Sequence, residues 1–211
     1  MMYLLDRLYD LPEEGGTISI GGTDIRKIKL EHLRRNIGIV LQEPFLFSRT
    51  LRENIGITVP DLQEEELRTA ARAACLDDTI QAFTKGYDTA VGERGVTLSG
   101  GQKQRAAIAR MLTRPTPIMI FDDSLSAVDT ETDRAIREAL KDGRSLNGRT
   151  PTTFIISHRL TTLADADLIL VLEDGVIAQQ GRHEELIRQE GLYQKVYRIQ
   201  AALEEELKHV V

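Results

Sequence analysis

The sequence predicts an α/β fold in which a mainly parallel sheet forms the core and a helical subdomain is inserted. The first observation is that short apolar runs alternate with segments of helical periodicity, a pattern typical of buried parallel strands linked by helices. The second is a helical pattern from about residue 50 to 112, broken at Pro60 and at several glycines. We therefore expect residues 1–49 and 113–211 to form the α/β core, and about 50–112 the helical subdomain.

The elements before the helical subdomain alternate as this fold requires. Residues 2–9 have apolar residues at helical spacing but no capping residue in front, so we expect the middle of a helix whose beginning is missing. Gly21 and Gly22 form a turn after a strand-like run. In this part the pattern predicts strands over 17–20 and 37–41 and a short helix over 30–35.

Strands and helices alternate again after the helical subdomain. The predicted strands are 117–121, 152–156 and 168–172, and the predicted helices are 131–141 and 160–164. The last strand turns at residues 173–175 into a hairpin with 176–178. The final helix has an apolar face, which favours packing on the rest of the domain over dimerisation. That face consists of Leu192, Val196, Ile199, Leu203 and Leu207.

Composition limits the classes of function. With 211 residues, 41% hydrophobic and 28% charged, the chain fits one globular domain with a sizeable core. The net charge of -6 gives no support for binding to nucleic acid or to an anionic membrane surface. The single cysteine, Cys75, cannot form an intrachain disulfide and suits a reducing compartment. No apolar run approaches the ~18–20 residues of a membrane helix, so we expect a cytosolic piece.

The first candidate site is the pentad Leu98-Ser99-Gly100-Gly101-Gln102, which precedes a helical run. Two glycines allow a backbone to approach a phosphate closely, and successive N–H groups with a serine hydroxyl form an anion nest. The helix that follows directs the positive end of its dipole to the same place. The plainer interpretation is a glycine turn that only starts a helix.

The second candidate site is a buried strand that ends in two carboxylates, Asp122 and Asp123. Ligands of open α/β sheets bind at the carboxyl ends of the strands. Both side chains are therefore candidates for binding a ligand. The alternative is that they only cap the next helix.

Together, the pentad, the Lys103-Gln104-Arg105 that follows it and the strand ending at 123 resemble the signature motif and Walker B strand of ABC-type ATPases. The resemblance covers essentially the whole chain and implies a P-loop NTPase-like (RecA-like) core with ATP and Mg²⁺ as cofactors. It also implies that Asp122 holds the Mg²⁺ of MgATP through water and that residue 123 polarises the attacking water. The pentad would bind nucleotide held by a partner domain.

Three single residues gain an interpretation from the same resemblance. Gln42 ends a buried strand and matches the Q-loop glutamine, which contacts Mg²⁺ and the lytic water. His158 follows a predicted strand and matches the switch histidine, which contacts the γ-phosphate. Asp129 matches the D-loop aspartate, which reaches across a dimer. Outside that order and spacing, each would be ordinary polar surface or a strand end.

The resemblance narrows to exporters of the multidrug and lipid type. Residues 42–55 and 86–95 are similar to segments that in such exporters face the coupling helices of the membrane domain, and 91–95 to an exporter-specific loop. The implied partners are a second nucleotide-binding domain, in a homodimer or heterodimer, and a transmembrane domain, but no nucleic acid. The implied location is the cytoplasmic face of the plasma membrane.

Two features depart from the family pattern. No segment matches the phosphate loop G-x-x-x-x-G-K-[ST] or the strand before it. We therefore expect a partial domain, truncated after that loop, which alone is aggregation-prone and has no measurable affinity for MgATP. Asp123 stands where the family usually has glutamate, and a mispositioned general base forfeits much of a rate factor of roughly 10²–10⁴. This predicts the slower half of a heterodimer with unequal sites, and a slow homodimer is the alternative.

Three functions follow from these features. The preferred one is the ATP-hydrolysing domain of an exporter of a drug, lipid or peptide. The second is a non-hydrolysing remnant that binds a partner ATPase through its signature motif. The third, a soluble ABC ATPase acting on DNA or the ribosome, is disfavoured by the acidic charge and by the exporter-like segments.

Overall fold

A computed structural model describes residues 2–12, 14–92, 96–142 and 150–209, with the backbone only at 142 and 204–209. Residues 93–95 of the expected exporter loop and the side chain of Leu207 lie outside this description. The α-helices are α1 (Met2–Leu5), α2 (Leu30–Arg35), α3 (Leu51–Ile55), α4 (Glu64–Ala73), α5 (Asp77–Gln81), α6 (Gly100–Leu112), α7 (Thr130–Asp142), α8 (Leu160–Leu163), α9 (His183–Leu186) and α10 (Leu192–His209). The strands are β1 (Ser19–Ile20), β2 (Thr23–Asp24), β3 (Ile37–Val40), β4 (Ile118–Asp122), β5 (Thr152–Ile156), β6 (Ile169–Glu173) and β7 (Val176–Gly181).

The chain forms two compact units, residues 1–156 and 157–211. In the first unit β3, β4 and β5 form a parallel sheet in that order, with Ile37 opposite Ile118 and Ile118 opposite Thr152. Among the described strands, β5 pairs on one side only. The parallel sheet confirms the predicted α/β class.

Strand β4 is buried on both faces of this sheet. Met119 and Phe121 pack into one apolar cluster with helix α6, while Ile120 packs into a second cluster with Ile25 and Leu33. Side chains alternate across a strand, so a strand covered on both faces needs apolar residues at every position. This explains why its sequence is a continuous apolar run.

Helices α3 to α6 lie between residues 50 and 112 and belong to the same compact unit as the sheet. Helices α3 and α6 begin with capping boxes at Thr50 and Ser99, each of which typically contributes about 1 kcal/mol. The buried face of α6 carries Ala106, Ile108 and Leu112 into the main core. That packing fixes the N-terminal end of α6, where the pentad lies.

The first helix is shorter than predicted. It ends at Leu5, and Arg7 has a left-handed backbone, with φ of 49°. The N–H groups of Arg7 and Leu8 donate to the carbonyls of Leu4 and Tyr3, the pattern of a Schellman termination. Apolar spacing continues to residue 9, but this termination ends the helix first.

The second unit contains the hairpin of β6 and β7, which is antiparallel and crosses the predicted turn at 173–175. Its core is formed by Leu160, Ile169, Leu186 and Tyr193. The sequence predicts this hairpin, and the pairing of β6 with β7 confirms it. A short turn between two strand-length runs selects antiparallel pairing, because a parallel pair needs a long crossover.

The expected packing face of the last helix is wrong in part. Ile199 and Leu203 are 61% and 53% exposed, Val196 is partly buried, and the fully buried side chain is Tyr193. The hydroxyl of Tyr193 lies 2.8 Å from Nδ1 of His183, so the aromatic ring and its polar end fix the helix start. No helix among the described residues is both long and apolar enough to span a membrane.

Candidate functional site

The pentad starts helix α6 through a reciprocal cap. The Ser99 hydroxyl accepts a hydrogen bond from the Gln102 N–H at 3.2 Å, and Gln102 Oε1 accepts one from the Ser99 N–H at 2.9 Å. Leu98 is buried and anchors the approach, while Ser99 is exposed. The pentad is therefore a turn that starts a helix, as the plainer interpretation has it. The cap also holds the N-terminal turn of α6 in one geometry.

The two glycines of the pentad differ in what they face. A Cβ on Gly101 would lie 2.9 Å from the carbonyl oxygen of Ala127, so the chain's own packing requires glycine there. A Cβ on Gly100 would meet no described atom within 4 Å. Gly100 is helical and exposed, so nothing described in the chain demands glycine at this position. The space over its backbone is open to a group from outside.

The carboxyl end of β4 presents the two aspartates. Asp123 has a left-handed backbone, with φ of 46°, a conformation that costs a non-glycine residue roughly 1–3 kcal/mol. Its N–H donates to the Ile156 carbonyl at 2.9 Å, and its carbonyl accepts from the Ser126 hydroxyl at 2.6 Å. These bonds hold the strained turn in place and fix the position of the Asp123 backbone, from which the carboxylate extends.

The two adjacent carboxylates affect each other. Burial, and then the charge of Asp123, raises the pKa of Asp122 above its ordinary value. Such a carboxylate gains from a nearby cation, which offsets both effects. A divalent cation at this strand end therefore fits the charge of the site.

The structure brings Gln42 and Asp123 together although 81 positions separate them. Gln42 Nε2 donates to Asp123 Oδ2 at 3.2 Å. Gln42 follows β3 and Asp123 follows β4, and these strands are neighbours in the sheet. Parallel strands place their carboxyl ends at one edge, as expected for a site of this fold.

The remaining candidates occupy other positions. Asp129 caps helix α7, because its Oδ1 accepts from the Thr132 N–H at 2.9 Å, and this bond lowers the pKa of Asp129. His158 belongs to the second unit, where its carbonyl accepts from Gln200 Nε2 at 2.7 Å. In sequence it lies two residues after β5.

A groove of about 420 Å³ in the first unit was not anticipated. It lies beside the 42–47 segment, and its lining includes Phe45 and Phe47 and four arginines but, among the described residues, no acid; the arginines are Arg34, Arg35, Arg110 and Arg114. Arg110 hydrogen-bonds to the neutral carbonyls of Asn54 and Phe45, at 2.7 and 3.0 Å. Burial lowers the pKa of Arg110. A carboxylate from a partner would therefore stabilise the positive charge of this side chain.

Asn54 and Gln104 are further residues that sequence analysis missed. Asn54 is fully buried and holds the Phe47 backbone through both its amide atoms. Gln104 is buried and donates to the Gln42 carbonyl. A sequence signal did exist for Gln104, because it falls on the same helical face as Ala107, Ile108 and Met111, and a polar residue on an apolar face needs a partner.

A family model described as ABC transporter matches residues 3–126. The chain belongs to the ABC transporter family. The match includes Gln42, the pentad and the end of β4, so the elements built above are those of this family and its P-loop NTPase fold.

Relatives agree with this assignment. The chain is 45% identical over 197 residues to an ATP-dependent lipid A-core flippase of Desulfotalea psychrophila, covering 93% of the chain and 33% of that protein. It is 41% identical over 206 residues to the mitochondrial iron-sulfur clusters transporter atm1 of Neurospora crassa, covering 96% of the chain and 28% of that protein. It thus spans about a third of the length of these relatives.

A solved structure gives the same result. A bacterial Atm1-family ABC exporter with ATP bound superposes with a TM-score of 0.86 at 44% identity, over 95% of this chain and 34% of that one. The ABC exporters are therefore the group that this chain resembles in both sequence and fold.

The two glycines give a stability test. We expect Gly101→Ala to lower the free energy of unfolding by about 1–3 kcal/mol, because its methyl meets a backbone oxygen. Gly100→Ala should leave it unchanged or raise it by up to about 1 kcal/mol, because alanine favours the helix and nothing obstructs it. Urea denaturation followed by circular dichroism measures both. An equal loss of unfolding free energy in the two variants would contradict the open space assigned to Gly100.

Proposed function

We propose that this chain is the ATP-binding part of an ABC exporter and that its signature pentad completes the nucleotide site of a second domain of the same family. The observation that carries the proposal is the open space over Gly100 at the capped start of α6. A helix start with free N–H groups and an approachable backbone binds phosphate oxygens. A phosphate held by the partner would fill that space.

The experiment mixes the chain with a nucleotide-binding domain that keeps its phosphate loop but whose own signature serine is replaced. The chain should restore ATP hydrolysis to that domain. Gly100→Ala should not, although it folds, because its methyl occupies the place of the phosphate. Gly56→Ala is a matched control, since its Cβ would make only an ordinary contact of 3.5 Å with Leu62, and it should restore hydrolysis like the parent chain.

The carboxyl end of β4 has the side chains that such a site needs. Asp122 and Gln42 offer the oxygen ligands that Mg²⁺ prefers, directly or through water. No group of three or more His, Cys, Asp or Glu side chains suited to a metal occurs among the described residues, which agrees with an ion held mainly by phosphate and water. When bound, MgATP would supply the γ-phosphate whose charge the site stabilises.

Within that site we assign the roles as follows. Asp123 orients and polarises the attacking water, and Gln42 fixes the Asp123 carboxylate by its hydrogen bond. Apart from the geometry of that site, we propose from the family resemblance that His158 contacts the γ-phosphate and that Asp129 reaches toward the partner domain. Ser99, Gly100, Gly101 and Gln102, with Leu98 as anchor, serve the partner's nucleotide.

We further propose that the site containing Asp123 is the slower one of a heterodimer. Its carboxylate is one methylene shorter than the glutamate usual in the family, and the hydrogen-bonded turn around Asp123 does not let the backbone advance to compensate. In the complete complex, Asp123→Glu should raise the ATPase rate of this site by about tenfold or more, since a placed base contributes roughly 10²–10⁴.

The measurement is single-turnover hydrolysis with the partner's own site disabled. Asp167→Glu, which makes the same exchange at an exposed position of the second unit, is the control and should change nothing. An unchanged rate in Asp123→Glu would assign the slow step to another group and would contradict the unequal-site proposal.

The capped pentad also fits a second function, that of a non-hydrolysing partner that binds an ABC ATPase through this pentad. In the mixing experiment this function gives restored hydrolysis that does not depend on Asp123. The exporter subunit gives a rate that Asp123→Glu changes in the complete complex.

We propose that the chain works at the cytoplasmic face of the plasma membrane with a membrane partner, and the groove is a candidate surface for that partner. Phe45 is 68% exposed and Phe47 40%, beside a rim of arginines. This combination fits a helical segment with an apolar side and at least one carboxylate. We propose a coupling helix of the transmembrane domain as that segment.

Charge reversal at the groove tests the partner. Arg114 is exposed at the rim, so Arg114→Glu should leave the fold intact. It should weaken association with the solubilised transmembrane part by at least about tenfold, because like charges at an interface cost several kcal/mol. A titration at low and high salt measures this, and high salt should narrow the difference. Arg188→Glu, the same charge change on an exposed residue of the second unit, should bind normally; equal weakening in both variants would exclude the groove.

A further inference from the structure

Helix α6 contacts the candidate site at a second place, away from the pentad. Gln104 lies two residues beyond the pentad and is only 3% exposed. Its Nε2 donates a hydrogen bond to the carbonyl oxygen of Gln42. The two residues are 62 positions apart, so this bond joins the signature helix to the segment that follows β3.

A second hydrogen bond continues from the same residue. The side chain of Gln42 donates from Nε2 to Asp123 Oδ2 at 3.2 Å. Gln104 therefore holds the backbone of Gln42, and Gln42 holds the carboxylate of Asp123. The two bonds in series connect α6 with the end of β4.

The segment after β3 depends on α6 for its position. Strand β3 ends at Val40, and residues 41–50 form neither helix nor strand. Helix α6 holds this segment at two points, through Gln104 at Gln42 and through Arg110 at the Phe45 carbonyl, 3.0 Å away. Without the hydrogen bond from Gln104, the Gln42 backbone loses its contact with α6, next to the candidate base Asp123.

The cost of burying Gln104 indicates a positional role. Its Oε1 is buried, and no described residue donates a hydrogen bond to it. An apolar side chain of similar size would fill this place without an unsatisfied oxygen. What such a side chain could not do is hold the Gln42 carbonyl.

We infer that Gln104 is a positioning residue that sets the Gln42 side chain against Asp123 and so couples the signature helix to the hydrolytic end of the same domain. A shift of α6, when its N-terminal turn engages a partner's phosphate, would move the Gln42 carbonyl through this bond. The catalytic consequence rests on the proposed function, whereas the coupling of Gln104 to Gln42 is a property of the chain itself.

The first experiment uses the chain assembled in the complete complex, because the chain alone is expected to be aggregation-prone. Gln104→Met keeps the length of the side chain and removes its donor, and ¹⁵N relaxation of the Gln42 side-chain amide reports how firmly that amide is held. We expect the order parameter to fall in Gln104→Met toward the value of flexible groups, below about 0.6. Gln81→Met makes the same exchange at an exposed position of α5 and should leave it unchanged. An unchanged order parameter in a folded Gln104→Met overturns the inference.

A second variant covers the case in which Gln104→Met does not fold. Gln104→Asn keeps the amide but draws it back by one methylene, out of reach of the Gln42 carbonyl. It should loosen the Gln42 amide in the same way. If Gln104→Asn folds and Gln42 stays ordered, the inference is likewise overturned.

The second experiment uses the same complex. Gln104→Met should lower kcat by about tenfold to hundredfold, the usual consequence of a misplaced group, and should change the KM for ATP much less, because Asp122 still offers an oxygen ligand to the metal. In a Gln42→Ala background it should have no further effect, since the side chain through which it acts is gone. An equal loss of kcat in both backgrounds indicates a merely structural residue and overturns the inference.

The two experiments separate the two proposals. A loosened Gln42 amide in the chain, together with a complete complex that hydrolyses no ATP even before substitution, supports the coupling and rejects the proposed function. An unchanged Gln42 amide rejects the coupling and leaves the proposed function to its own test.

Discussion

The burial of β4 on both faces is the constraint on which the first unit depends. Met119 and Phe121 face one apolar cluster and Ile120 the other, so this strand cannot shift by one residue without moving its side chains to the wrong face. Its neighbours β3 and β5 are in register with it. The positions of Gln42 and Asp123, which follow adjacent strands, are consequences of that register.

Helix α6 is positioned by the same packing and carries the pentad at its N-terminal end. Its alanines and Ile108 are packed into the cluster that covers β4, and its first turn carries the capped pentad. The pentad and the aspartates, which are about 20 residues apart in the sequence, are thereby both positioned by the same core. Preorganised dipoles of this kind stabilise charge without rearranging when the ligand arrives.

Much of this arrangement could be predicted from local sequence. Strands 37–41 and 117–121 were visible as apolar runs, because strands covered by neighbouring elements leave a nearly continuous apolar pattern. Strand 152–156 begins with two exposed threonines and was visible only from its apolar second half. The pentad was recognised because residues 103–105 and the strand ending at 123 occur with it. Alone, a serine and two glycines before a helix predict only a capped turn. Helix ends were harder: α1 stops at a left-handed Arg7, and arginine gives no signal for that conformation. Exposure of Ile199 and Leu203 was hidden because periodicity shows that a face is apolar but not that anything covers it.

The contacts that link the site could not be predicted, because they join residues far apart to backbone atoms. Gln104 meets a carbonyl 62 positions away, and Arg110 meets one 65 positions away. A carbonyl is present at every residue, so the partner of a buried amide leaves no trace in the sequence. The left-handed turn at Asp123 has a further consequence. Aspartate adopts this conformation more readily than longer side chains, because its short carboxylate bonds locally. At residue 123 a longer acid would therefore gain reach but add backbone strain, so the length of this side chain and the stability of the turn oppose each other.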